Sequence, residues 1–286
     1  MPNSIALAKK YVPVLDEIYK NASLTADLDG PNDLAREGAN AGELIIPKMS
    51  LQGMADYDKD TGYDTGTVTL ENETVQSNYD RGRMFNVDNV DNMETAGVAF
   101  GRLAGEFIRT KVVPELDAFR FAAYASATGI GTVAGAALTS GADVIAALRA
   151  GVNAEDEAEV PSDERYLYIT PTLLGLVKDL ETTKSREVLD GFAKIVKVPQ
   201  TRFYTAITLT ASGAGGFSKA AEAKDINFMI IHKPAVIQFQ KHVAPKIITP
   251  EQNQNADAYK FGYRTVGIAD VYDNKVSGIY LHKAAT

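Results

Sequence analysis

The chain has 286 residues, 45% of them apolar, with 29 basic against 37 acidic residues for a net charge of -8, and neither cysteine nor tryptophan. The missing cysteines exclude disulfides, zinc–thiolate centres and cysteine nucleophiles. Lys and Arg never cluster beyond pairs, so the basic face on which nucleic-acid affinity rests is absent.

The length allows one large domain or two intermixed ones. No apolar run reaches the roughly 18–20 residues of a membrane helix. The opening MPNSIALAKKYVPVLDEIYK lacks an apolar stretch followed by a small-residue cleavage site, so synthesis and residence in the cytoplasm are expected. Within it, Ile5, Leu7, Ala8, Val12, Val14, Leu15 and Ile18 recur at roughly helical spacing, interrupted by Pro13. The following NASLTADLDGPNDLAREGANAGE has little to bury and predicts an extended arm or loop.

Two strands come next. In LIIPKMSLQ, Ile45, Pro47, Met49 and Leu51 face one way and Lys48, Ser50 and Gln52 the other; in GTVTLENETVQ, Val68 and Leu70 alternate with Thr67, Thr69 and Glu71. Asp60-Thr61-Gly62 between them is a turn signal. This hairpin is too polar for a core and too long for an ordinary turn, so it is expected to project and pack on something else.

An Asp91-x-x-Glu94 start, a variant of the capping box, opens the best helical pattern: Met93, Ala96, Phe100, Leu103, Phe107 and Ile108. Pro114 predicts a break or kink, with a restart that ends at Gly129. Residues 91–127 would span on the order of 50 Å at ~1.5 Å per residue. Beyond 130 the pattern is mixed: a helix behind Ser140 and Asp143, a strand RYLYIT, a short helix TLLGLVKDL and a strand FAKIVKVP. A small-residue loop TLTASGAGGFSKAAEAKD and a strand INFMIIH buried on both faces follow. A short helix AVIQFQKH after Pro234 and strands PKIITP, YRTVGIADVY and KVSGIYLHK complete the chain.

Asp56, Asp58, Asp60 and Asp64 suggest a calcium loop, but an EF-hand counted from Asp56 needs glycine where Thr61 stands and a bidentate glutamate where Thr67 stands. A solvated hairpin tip is the better reading. DLDG at 27–30 fails sooner. His232, His242 and His282 have no second histidine at i+3 or i+4 and are expected at strand ends or surfaces. There is no Gly-x-Ser-x-Gly elbow for a hydrolase. GAGG at 213–216 lacks a following Lys-Ser/Thr, and GIGTVAG at 129–135 follows a helix rather than a strand; both read as turns. The Tyr pair of ERYLYITP reads as strand packing rather than a base-stacking platform. No catalytic, cofactor-binding or metal residue emerges; an arm and a projecting hairpin make sense where a neighbouring copy supplies the other side.

In order and spacing, GELIIPKMSLQGMADYDKDTGYDTGTVTLENETVQ, DRGRMFNVDNVDNMET, EFIRTKVVPELDAFRFAAYA, ERYLYITP, INFMIIHKPAVIQFQKHVAPKIITP and YRTVGIADVYDNKVSGIYLHK resemble a major capsid protein of tailed bacteriophages. The resemblance spans nearly the whole chain. It implies an α+β Hong Kong phage-type capsid fold: an N-terminal arm at 1–40 and an extended hairpin loop at 41–87. A peripheral domain with a spine helix would take 88–129 and 235–272, and an axial domain 130–234 and 273–286. It further implies a non-enzymatic, cofactor-free protein, assembled in the host cytoplasm into pentamers and hexamers of an icosahedral virion shell around double-stranded DNA. Ile45, Met49, Leu51, Asp56, Asp58, Lys59, Asp60, Asp64, Val68 and Leu70 would then be contacts between subunits.

Some members carry a scaffolding segment before the arm; with about 40 residues ahead of the hairpin, scaffolding would here be a separate protein or absent. A portal, and a decoration protein in some relatives, would be further partners, and no membrane is involved. Some members also join subunits by a Lys–Asn bond; Lys59 lies near the tip, but nothing in the sequence identifies a pocket that would activate it. The rivals are an encapsulin-like nanocompartment shell, which shares the fold but encloses enzymes, and a soluble metal-dependent or hydrolytic enzyme.

Overall fold

A computed structural model describes residues 23–30, 36–37, 43–89, 98–133, 135–180 and 183–285. The helical pattern at 5–18 and the Asp91/Glu94 cap lie outside them. The strands are β1 (Arg36–Glu37), β2 (Glu43–Leu51), β3 (Val68–Gln76), β4 (Tyr79–Asp88), β5 (Gly131–Val133), β6 (Arg165–Ile169) and β7 (Lys194–Lys197). They continue with β8 (Ile207–Leu209), β9 (Phe217–Lys219), β10 (Ile226–His232), β11 (Val236–Ile248), β12 (Ala258–Val271) and β13 (Ile279–Lys283). The helices are α1 (Val98–Phe107), α2 (Val113–Ser126), α3 (Gly141–Glu157), α4 (Pro171–Asp179) and α5 (Thr183–Asp190), with a π-helical turn, Ile108–Val112, joining α1 to α2.

Among the described residues these strands form three larger sheets and one small ribbon: β1-β2-β3, β5-β13-β10-β6-β7, β11-β12-β4, and the β8-β9 pair. In the five-stranded sheet β10 is antiparallel to β13 and β6, while β5 and β7 join the edges in parallel. Period two sorts its side chains cleanly. Leu167, Ile169, Phe228 and Ile230 meet Val144, Leu148, Leu173 and Val177 of α3 and α4 on one face. Tyr168, Met229, Ile231 and Leu281 meet Phe121 and Tyr124 of α2 on the other. The apolar run INFMIIH is therefore buried on both faces, as its composition predicts. The β11-β12-β4 sheet, the three-stranded sheet of the body, takes the earlier part of the long helix, with Ala104, Ile108, Val112 and Leu116 against Tyr79, Phe261 and Tyr263. At the α3 entrance the Ser140 hydroxyl accepts from the Asp143 N–H and the Asp143 carboxylate from the Ser140 N–H, the reciprocal capping box that the spacing signals.

Three local expectations are corrected. Pro114 does not break the helix. Proline offers no N–H to the carbonyl one turn back and its ring crowds that carbonyl; the preceding π turn, in which the Val113 N–H reaches the Ile108 carbonyl, widens the helix at that place and lets it run on. The stretch AVIQFQKH after Pro234 is not a helix: it begins β11, paired with β12 from Val236↔Val271 to Ile248↔Lys260, and Pro234 starts only a 3-10 turn, Lys233–Ala235. The β12 partner strand, rich in Val, Ile and aromatic residues, decides the matter, since sheet preference is largely packing against cross-strand neighbours. The polar stretch around residue 25 is not wholly an arm either, because Thr25 and Leu28 are buried.

Candidate functional site

The hairpin β2–β3 is in register as Leu51↔Val68, Met49↔Leu70, Pro47↔Asn72 and Ile45↔Thr74. Directly opposed residues share a face, so Ile45, Met49, Leu51, Val68 and Leu70 fall on one side. Towards the tip that side is open: Met49 is 57%, Leu51 65%, Val68 61% and Leu70 64% exposed, while Ile45 nearer the base is half-buried. The opposite side turns to the body. Val75 is buried with Ile237 and Ile268, and the Lys48 ammonium lies 3.2 Å from Asp273. The hairpin is thus fastened by one face and presents an apolar stripe on the other.

Its tip satisfies itself. Asp58 and Gly62 exchange backbone hydrogen bonds of 3.3 and 2.9 Å, the Asp60 N–H donates to Asp58 Oδ1 at 2.7 Å, and Gly62 takes the left-handed φ of 84° that the turn requires. Tyr57 and Tyr63 stack edge-to-face at 4.9 Å across it. Asp64 accepts from the Thr65 N–H at 3.0 Å. Asp56, Asp58, Lys59, Asp60 and Asp64 are all exposed. Among the described residues no group of three or more potential ligands is gathered as a metal site.

Sequence reasoning missed a second locus. The carboxylate of Asp117 on α2 is fully buried, yet it accepts from the Ser23 hydroxyl (2.8 Å), the Thr25 hydroxyl (2.9 Å), the Leu24 N–H (3.1 Å) and Arg202 (3.3 Å). Arg120, one turn on, donates to the Thr25 hydroxyl at 2.8 Å, and Gln238 of β11 donates to the Thr25 carbonyl and to Asp29, both at 2.7 Å. Tyr124 donates to Gln238 Oε1 at 2.6 Å, and burial holds its phenol well above the usual range. The available signal was Asp117 and Arg120 at i, i+3 on a helix whose neighbouring positions are apolar; inward charges demand partners.

No family model matches the chain, and no curated protein matches it in sequence. Solved structures do match. The capsid structure of cyanophage P-SCSP1u aligns with TM-score 0.57 at 14% identity, covering 88% of this chain and 86% of that one. The asymmetric unit of the bacteriophage PhiM1 mature capsid aligns with TM-score 0.57 at 14% identity over 86% and 83%. The chain has the Hong Kong phage-type capsid fold. A virus-like particle from Pyrococcus furiosus shares this capsid fold too, with TM-score 0.57 at 12% identity over 94% of this chain and 95% of that one.

Elsewhere in this capsid fold the titratable groups serve packing. His282 is buried rather than at a surface: its ring stacks on Phe228 at 5.0 Å, and its Nδ1 lies 3.0 Å from the Asn227 amide nitrogen. Burial lowers its pKa, and burial together with Arg165 lowers that of His232 at the end of β10. His242 lies on β11, and its side chain is outside the described set. Glu155, 1% exposed near the end of α3, is the unusual one. Arg165 Nε lies 3.3 Å from it but donates to the Pro161 carbonyl at 2.9 Å, and the other guanidinium nitrogens serve the Val160 carbonyl and Asp156 (2.8 Å). Neither Glu155 oxygen receives a hydrogen bond, and burial pushes its carboxyl up to about 8. Among the described residues no helix is long and apolar enough to cross a membrane.

Proposed function

We propose that this chain is the major capsid protein of a tailed bacteriophage and assembles with copies of itself into an icosahedral shell. The observation that carries this reading, beside the fold, is the hairpin: one face fixed to the body, the other bearing Met49, Leu51, Val68 and Leu70 uncovered. Full burial of such a side chain contributes about 1.5–3 kcal/mol, so a neighbouring copy laid against the stripe gains several kcal/mol per contact. Head-to-tail contacts between identical chains close into rings when the rotation matches, and rings of five and six from one chain need parts that bend. The exposed carboxylates of Asp56, Asp58, Asp60 and Asp64, with Lys59 among them, would set register at the rim more than affinity.

The net charge of -8 suits a wall that encloses DNA without gripping it, since a strongly basic lining would hold the duplex through counterion release. The role needs geometry and no catalysis. Its partners would be further copies, scaffolding, a portal and, in some particles, a decoration protein. The layout follows the resemblance: arm at 1–40, extended loop at 41–87, peripheral domain at 88–129 and 235–272, axial domain at 130–234 and 273–286.

Deleting residues 54–66 tests the reading. Negative-stain microscopy and size-exclusion chromatography should show a folded monomer and no shells; normal particles from the deletion would refute the hairpin's role. The extensive alignment with the archaeal virus-like particle keeps a second reading open, a compartment shell filled with protein. Purified particles decide between the two: encapsidated double-stranded DNA supports the phage role, and a protein cargo supports the compartment.

A further inference from the structure

Residues 23–30 carry two hydroxyls, two carboxylates and two leucines in eight positions. Each is matched by the body. Leu28 is a plug, 1% exposed, packed in the cluster with Phe121, Tyr124, Tyr168 and Val236. Ser23 and Thr25 face Asp117, Asp29 faces Arg120 and Gln238, and Asp27 pairs with Lys194. These partners come from separate parts: Asp117 and Arg120 from α2, Gln238 from the three-stranded sheet, Lys194 from the edge strand of the five-stranded sheet, and Arg202 from the 3-10 turn after it.

The manner of attachment is equally informative. The segment makes its own turn, with the Leu28 N–H on the Thr25 carbonyl and the Asp29 N–H on the Ala26 carbonyl. Its backbone-to-backbone link to the body among the described residues is the Gly30 N–H to the Gln238 carbonyl at 3.1 Å. No ladder of strand hydrogen bonds has to break for it to leave. What leaving exposes is Leu28 and a charged mouth of Asp117, Arg120 and Arg202.

We propose that residues 23–30 are a releasable clamp: seated, they tie the long helix to both sheets at once, and they open as a unit while the sheets stay folded. Asp117 is then a positioning residue that fixes where the segment sits on the body. The clamp is a property of the single chain and does not depend on shell formation.

Hydrogen exchange by mass spectrometry on the unassembled full chain tests it, whatever becomes of the capsid reading. Amides at 24–30 should exchange as one group, more slowly than the hairpin tip and faster than β10 and β13. In Asp117→Asn that group should speed up at least tenfold while β10 and β13 keep their wild-type rates. Should Asp117→Asn fail to fold, Ser23→Ala removes one donor from the segment itself and is read the same way. Exchange of 24–30 in step with β10 and β13, or exchange already as fast as the hairpin tip in the wild type, overturns the clamp.

Discussion

Two outlying segments of this chain look alike in composition and end in opposite places. SLTADLDG at 23–30 and the hairpin at 43–76 are both rich in Asp, Thr and Gly. The first is drawn into the body, its Leu28 covered and its polar groups answered by Asp117, Arg120 and Gln238. The second is held by one face while Met49, Leu51, Met54, Val68 and Leu70 stand in water. Polar content therefore does not tell which segment is buried. What decides it is whether the body offers a matching partner for each polar group, because an unanswered one costs more than the apolar contacts return.

The comparison breaks most sharply at Leu28. Leu28→Ala should destabilise the monomer by about 2–5 kcal/mol, as large-to-small changes in a closed core do, read as a lower denaturant midpoint. A loss below about 0.5 kcal/mol would mean that the segment is not seated in solution. Glu155→Gln probes a buried carboxyl that receives no hydrogen bond, with Arg165 3.3 Å away. The folded carboxyl titrates at about 8, above its ordinary 4.5, so the folded state binds more protons between those values and wild-type stability falls as pH rises through that window. Removing the charge should stabilise the chain on the order of 1–3 kcal/mol at pH 7, with the gain shrinking towards pH 4.5. A gain independent of pH would assign the effect to packing instead.

The hairpin should behave the other way round. Leu51→Ser should leave monomer stability within about 0.5 kcal/mol while raising the concentration needed for assembly about tenfold, equivalent to ~1.4 kcal/mol. Light scattering across a dilution series reads it, and an unchanged threshold would remove Leu51 from the contact. Smallest of all, Lys48→Ala breaks a partly exposed pair with Asp273 and should cost no more than about 1 kcal/mol, less at high salt. Thermal melts at two ionic strengths give that difference.

Much of this was legible in the sequence, and the exceptions have physical reasons. The hairpin register follows from strict alternation at Met49, Leu51, Val68 and Leu70, because a shift by one residue would flip every side chain. The helix behind Ser140 and Asp143 and the doubly buried β10 are local signals and read correctly. Residues 236–242 misled because their partner, β12, is a separate strand whose pairing no local window contains. Asp117 was passed over because an aspartate on a helix ordinarily faces water, and the residues that bring it inside lie 92–94 positions earlier in the chain. The hairpin contacts proposed at Asp56, Asp58, Asp60 and Asp64 depend on a surface of another copy, which one chain's sequence does not name.

The π turn at Ile108–Val112 acts on the helix as a gear change. An α-helix advances about 100° per residue, so one extra residue in a turn rotates everything after it by roughly that angle. Across the turn, the apolar stripe of Ala104, Ile108, Val112 and Leu116 stays on the β11-β12-β4 sheet; further on, Phe121 and Tyr124 mesh with the five-stranded sheet. A single rod thereby drives two surfaces that a uniform helix would address at different phase. Excising one residue there, Thr110 for instance, would leave both halves helical and slip the second out of mesh.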